Sequence, residues 1–199
     1  MTSGGTSTEI LAELEDSGFI RSASPYDRNK KDLIYYINDE YSLFYQKFIY
    51  GKKLSGKDNW IRMCTGNSYI VWSGMAFEAV CMKHTEQIKK ALGIDGVQTL
   101  ESAWRYIPGK GEDGAQIDLI IDRADKTINL CEMKFYNDEY SINKTYAAEL
   151  ESKRKVFAEK TKTKKTLFLT IITTYGLKKN TYSNTLIQNN ITMDALFSS

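Results

Sequence analysis

Apolar positions recur along this chain at two periods, 3.6 residues in some stretches and 2 in others, and the predicted elements follow from where each holds. Ile10, Leu11 and Leu14, followed by Ser17-Gly18, predict a short amphipathic helix stopped by a glycine. The next segment, RSASPYDRNKKDLIYYI, joins Pro25 and a charged tip to the apolar-aromatic run Leu33-Ile34-Tyr35-Tyr36-Ile37, the pattern of a β-hairpin with a basic turn. Asp39 stands where it can cap a helix through EYSLFYQKFIYG, with Tyr41, Phe44, Tyr45 and Phe48 on one packing stripe. Residues 51–67 read as a polar connection with a short ordered piece near Trp60 and Met63. Ser73 opens a further helix, in which Phe77, Val80, Cys81, His84, Ile88, Ala91 and Leu92 share a face before Gly93 closes it.

The period then shortens. Residues 95–106 read as a first strand and its approach, and PGKGEDG is the clearest turn in the chain. QIDLIIDR, an Asp-Lys turn and INLCEMKFY give two apolar runs that predict a hairpin in the middle of a sheet. A helix over TYAAELESKRKVFAEK follows, with Tyr146, Leu150, Arg154 and Phe157 at helical spacing. TLFLTIITTYG then reads as a buried strand ended by Gly176, and SNTLIQNNITMDALF as one more strand with a short terminal turn.

These elements suit one main hydrophobic core. With 199 residues, 42% hydrophobic and 26% charged, and only 2 Pro and 13 Gly, the chain is neither fibrous nor broadly disordered. It has no stretch near the ~20 apolar residues of a membrane helix, and its opening residues lack a secretory signal, so no membrane partner and a cytoplasmic location are expected. Three widely spaced cysteines predict buried free thiols, and a single His without any C-x-x-C argues against a zinc cage. The net charge is only +2, yet residues 144–179 hold ten Lys/Arg against three Glu, a local +7. Such segregation is the footprint of a polyanion binder, and equally of a solvated helix face.

Within the central hairpin, Ile117, Leu119 and Ile121 alternate with Asp118, Ile120 and Asp122, which puts an acid on a strand otherwise suited to burial. On the next strand, period-two spacing puts Glu132 and Lys134 on one side, and Cys131, Met133 and Phe135 on the other. Carboxylates inside a sheet are costly unless partnered. Asp118, Glu132 and a divalent cation, Mg²⁺ or Mn²⁺, would satisfy one another, since Mg²⁺ takes hard oxygen ligands and keeps waters and a phosphate in its shell. Lys134 would orient or help deprotonate the attacking water and stabilise charge on the reacting phosphate, which is the chemistry of phosphodiester hydrolysis. The plainer alternative is a surface pair of Glu132 with Lys134, worth less than about 1 kcal/mol.

Other residues carry weaker signals. Gln116 is two before Asp118 and suits a phosphate or metal-water contact, or simply a polar strand end. Asp122 reads as a strand-end residue pairing with Arg123 or Lys126, Glu112 and Asp113 as loop residues, and His84 as a satisfied core histidine. Most of Trp60, Trp72, Trp104 and the tyrosines read as core; Tyr136 and Tyr140, in a polar loop beyond Lys134, are the aromatics placed to meet a substrate. Lys153, Lys155, Lys162, Lys164 and Lys165 are candidate phosphate contacts, as are Arg28, Lys30 and Lys31 of the first hairpin's turn.

Helix, three strands, helix and strand in that order resemble the αβββαβ core of the PD-(D/E)XK nucleases, the α/β restriction-endonuclease-like fold with a mixed central sheet. In that fold the helix before the sheet often carries a Glu reaching toward the metal, and the phrase AFE puts Glu78 at a similar position; otherwise Glu78 is a solvated helix residue. The phrases SGG…L.ELE.SGFI…PY and INDEYSLFYQKFI resemble the C-terminal region of a family of prokaryotic AAA-type ATPases, in which an ATPase module is followed by a winged helix and a nuclease-like domain. That resemblance implies a partial winged helix over residues 1–38, lacking its first half, and a nuclease-like domain over 39–199. It implies as catalytic residues Asp118, Glu132, Lys134 and Glu78, with a nucleic acid, most simply DNA, as substrate. No G-x-x-x-x-G-K-[ST] occurs, so no ATP site of that kind is expected, and the chain would derive from, or partner with, a larger ATPase. A nuclease fold that has lost its chemistry and serves as an interaction module for that ATPase is the alternative.

Overall fold

A computed structural model describes residues 4–26, 33–52, 59–109, 111 and 113–198. Helix α1 (Gly4–Asp16) ends where Gly18 adopts a left-handed φ of +76°, which a residue with a Cβ adopts only at a cost. Strands β1 (Ile20–Ala23) and β2 (Ile34–Ile37) pair antiparallel as the expected hairpin, with Arg21 opposite Tyr36. Arg28, Lys30 and Lys31 of its turn lie outside the described residues, as does Glu112. Asp39 caps α2 (Glu40–Phe44), its Oδ2 accepting the Ser42 amide at 2.7 Å. The helix then widens into a π-turn over Tyr45–Ile49, which differs from the expected stripe: Tyr41 and Tyr45 face solvent, while Phe44 and Phe48 pack edge-on against Trp60 and Trp72.

Helix α3 (Asn59–Met63) precedes α4 (Asn67–Lys83) and α5 (Thr85–Ala91). Where one helix from Ser73 was expected there are two, and the first starts earlier, at Asn67. The break is at His84, whose φ of −116° leaves the helical region and whose ring Nδ1 lies 2.8 Å from the Val80 carbonyl. His84 is thus satisfied locally, with Phe197 edge-on to its ring.

Strands β3 (Thr99–Tyr106), β4 (Ala115–Arg123), β5 (Thr127–Lys134), β6 (Thr166–Thr173) and β7 (Asn189–Thr192) form one mixed sheet in that order. The first three pair antiparallel, as short turns permit. The last three run parallel because helices cross between them, α6 (Lys144–Thr161) from β5 to β6 and α7 (Thr181–Leu186) from β6 to β7. Helix α7 occupies sequence read as strand. Asn180 and Ser183 cap it reciprocally, each side chain accepting the other's backbone N–H at 2.9 Å.

The sheet is covered on both faces. Tyr146, Leu150 and Phe157 of α6 and Leu186 of α7 meet Ile117, Ile120, Ile128, Leu130 and Leu169 on one side. Phe77, Cys81 and Ile88 of α4 and α5 meet Leu119, Ile121, Cys131, Met133 and Ile172 on the other. The architecture is therefore mixed α/β, a five-stranded mixed sheet between helical layers with a small antiparallel hairpin beside it.

That hairpin is tied to the rest of the chain at both ends. The Tyr26 amide donates to the Ala103 carbonyl at 2.8 Å along the free edge of β3, and the Tyr26 ring packs 5.1 Å from Phe157. Past the other end, Glu40 of α2 meets Lys83 of α4 at 2.6 Å. All three cysteines are free thiols, and Cys81 and Cys131 are buried. No helix among the described residues is long and apolar enough to cross a membrane.

Candidate functional site

The strand carrying Asp118 is not regular. Ser102 pairs with Ile120 and Trp104 with Ile117, so Asp118 and Leu119 together oppose the single residue Ala103. This β-bulge overturns the expected alternation: Ile117 shares the α6-side core with Ile120, while Leu119 and Ile121 face α4. Bulges re-aim side chains, and Asp118 lines a cleft of about 290 Å³ with Met75, Glu78 and Met82 of α4 and with Arg21 and Tyr36 of the hairpin. Its Oδ1 accepts from Gln116 Nε2 at 3.1 Å, so Gln116 bonds the acid it was expected to accompany.

One strand over, Glu132 is 3% exposed. It faces α6, where Lys153 Nζ donates to its Oε2 at 2.8 Å and lies 3.6 Å from Glu149. Glu132 Oε1 has no hydrogen-bond partner among the described residues, nor does the buried hydroxyl of Tyr146. Lys134 is on the same side as Glu132, as expected, but does not pair with it: its ammonium sits over the Tyr146 ring, 4.9 Å from the centroid. The part-buried Glu132–Lys153 bridge thus displaces the simple surface pair of Glu132 with Lys134.

The electrostatics reflect a shared site. Burial pushes the Glu78 carboxyl up to about 7, and the charges of Asp118 and Glu132 add to the shift against the opposing pull of Lys134 and Lys153. Glu132 is also raised, chiefly by burial and further by Asp118, although Lys153 and Lys134 work in the other direction. Burial disfavours the Lys153 charge, yet Glu132, Glu149 and Asp118 outweigh it and raise that ammonium's pKa. Asp118 and Glu132 are therefore close enough to disfavour ionisation of Glu78, and Asp118 that of Glu132. Among the described residues, however, no three His, Cys, Asp or Glu side chains converge into a ready metal cage.

Glu132 Oε1 is a buried hard oxygen with no partner among the described residues, and the Glu132 and Glu78 carboxyls are both held above their ordinary range; these conditions favour a divalent ion. Asp118, Glu132 and Glu78 are the residues that could hold it.

The other candidates are dispersed. Tyr136 is half-exposed beyond β5, edge-on to Tyr140, in a different cleft with Tyr69 and Ile70. Lys155 points outward and sits 3.9 Å from Glu159. Lys162 caps α6 in a left-handed conformation and Lys164 is exposed just before β6. Because Thr127 pairs with Thr166 and Lys134 with Thr173, residues 162–165 lie at the end of the sheet opposite Lys134, roughly 20 Å away along the strand. Lys165 is engaged there by Asp122 and the Arg123 carbonyl, so Asp122 pairs with neither Arg123 nor Lys126. Arg123 pairs with Asp125 instead.

Sequence reasoning missed three contributors: Lys153 as partner of Glu132, Tyr146 beneath Lys134, and the Arg21–Tyr36 pair facing Asp118. Lys153 was detectable, since Tyr146, Leu150, Lys153 and Phe157 recur at spacings of four, three and four on the inward face of α6. The hairpin's approach had no local signal. No protein-family model, curated protein or solved structure significantly matches this chain.

Proposed function

We propose that the chain is a divalent-metal-dependent nuclease domain of the restriction-endonuclease-like, PD-(D/E)XK type, acting on nucleic acid and most simply on DNA. The observation that carries the reading is the buried Glu132 with one oxygen unpartnered, on the strand next to the bulged strand of Asp118. The order of strands and the parallel crossover through α6 support it, as they suit the αβββαβ arrangement. When bound, Mg²⁺ or Mn²⁺ supplies Lewis acidity and a water of lowered pKa. Gln116 orients Asp118 by its hydrogen bond, and Lys153 orients Glu132. Lys134, held over Tyr146, provides the cation that positions the attacking water and stabilises charge on the phosphate. Helix α1 and the hairpin stand for part of a winged helix, and an ATPase is the proposed partner or parent.

A second reading has its own observation. Lys153 already neutralises Glu132, as expected of a nuclease fold that lost its chemistry and became an interaction module. Cleavage assays on labelled single- and double-stranded oligonucleotides with Mg²⁺ or Mn²⁺ separate the two. The nuclease reading expects cleavage that EDTA, Asp118→Ala and Lys134→Ala each abolish while the circular dichroism spectrum is kept. Absent cleavage, or cleavage indifferent to both substitutions, rejects it.

A further inference from the structure

The cleft beside Asp118 has a second end that the metal chemistry does not use. Arg21 and Tyr36 are directly opposed across β1 and β2, and the Arg21 guanidinium lies over the Tyr36 ring, 4.3 Å from its centroid. Arg21 is half-buried, yet its guanidinium makes neither an ion pair nor a hydrogen bond with any described residue. A half-buried arginine without a carboxylate partner among the described residues keeps its planar set of donors available. Burial lowers its pKa, and Tyr36 works in the other direction. Tyr36 lines the same cleft as Asp118 and Glu78, and its pKa is raised by burial and further by those two acids against the opposing pull of Arg21.

We propose that Arg21 and Tyr36 form a subsite for the nucleotide next to the scissile phosphate, and that the cleft between the hairpin and α4 admits a single strand rather than a duplex. This rests on the nuclease reading for the direction of the strand, from Arg21 toward Asp118. The chemistry is that of single-strand recognition: an aromatic face on which any base can stack, and a guanidinium suited to a phosphate or a base plane. Size points the same way. About 290 Å³ lies at the small end of ligand-sized cavities and accommodates a nucleotide but not the width of a double helix. The wall is fixed as well, since Ser22 bonds Glu15 twice at 2.7 Å, Tyr26 is bonded to Ala103, and Glu40 to Lys83. A slender single strand suits a cleft of these dimensions.

The test is fluorescence anisotropy of the full chain with a labelled 12-nucleotide single strand, or the same strand annealed to its complement, in EDTA so that nothing is cut. Binding of the single strand about tenfold tighter than the duplex is expected, with a loss of about tenfold in Arg21→Gln and in Tyr36→Leu. Tyr36→Phe, which keeps the ring, is expected to bind nearly as wild type, which separates stacking from a folding defect. Lys155→Gln, on the outer face of α6, is the control expected to change little. Equal binding of duplex, no binding of the single strand, or full binding by both Arg21→Gln and Tyr36→Leu overturns the proposal. Asp118→Asn separates the two readings, because it is expected to keep single-strand binding while losing cleavage. Cleavage indifferent to Arg21 and Tyr36 would defeat the subsite alone, whereas Arg21-dependent binding without any cleavage would defeat the nuclease reading alone.

Discussion

Lys153 of α6 donates a 2.8 Å hydrogen bond to one oxygen of Glu132 on β5, and the other oxygen of that carboxylate is buried with no partner among the described residues. One acid is thus half satisfied by an internal cation and half available to an external one. The bridge is buried at Glu132 and largely covered at Lys153, so desolvation offsets much of its attraction and it orients Glu132 more than it stabilises the fold.

Lys153→Met should leave an uncompensated buried carboxylate and destabilise the metal-free chain by about 3 kcal/mol. The double variant Lys153→Met/Glu132→Leu should recover most of that loss. Mn²⁺ should raise the melting temperature of Lys153→Met more than that of the wild type, because the ion takes over the missing charge. Thermal melts with and without Mn²⁺ check both statements; an equal Mn²⁺ effect in the two proteins would count against a cation at Glu132.

Glu78 produces a pH dependence of known sign. Its carboxyl titrates near 7 in the folded chain, against an ordinary value of 4.5. The folded state therefore holds this proton more firmly than the unfolded state does. Its contribution to stability is complete below about pH 4.5 and is lost as the pH rises through about 7. Glu78→Gln should flatten that fall and be about 1–3 kcal/mol more stable than wild type at pH 8. Urea unfolding at pH 5 and pH 8 measures this, and parallel pH profiles for the two proteins would show the prediction wrong.

Tyr26 holds the hairpin to the sheet edge, so Tyr26→Ala should cost about 2 kcal/mol through loss of the Phe157 contact. The effect should be local: amide hydrogen exchange should quicken in Ile20–Ala23 and Ile34–Ile37 while β5 and β6 keep their protection.

Thiol chemistry should distinguish one cysteine from two. Burial pushes the Cys81 thiol up to about 12 and raises Cys131 as well, and both are inaccessible in the core. Under native conditions a disulfide-exchange reagent should titrate only Cys64 rapidly, with all three reacting in denaturant.

The strands that carry the site were legible because their apolar runs are long and bounded by turn residues, and period-two spacing put Glu132 and Lys134 on one side. The bulge was not, because nothing in the continuous run IDLII marks where two residues must oppose Ala103. The α6 stripe was read through Arg154, whereas the inward position is Lys153; one step around a helix exchanges a surface cation for one inside the site. Helix α7 was hidden because Asn180, Ser183 and the crossover geometry determine it more than its weak helix propensities do. The basic residues 162–165 read as substrate contacts because sequence proximity does not reveal that β6 begins at the far end of the sheet. No local pattern could announce that the first hairpin forms one wall of the cleft, since that contact joins residues distant along the chain.

The most direct measurement is calorimetric titration of Mn²⁺ into the chain at pH 8, where Glu78 is mostly ionised, compared with Asp118→Asn and Glu132→Gln. A cation held by Asp118 and Glu132 gives one saturable site in the wild type and its loss in both variants. Heats that are non-saturable, or identical in all three proteins, would contradict it.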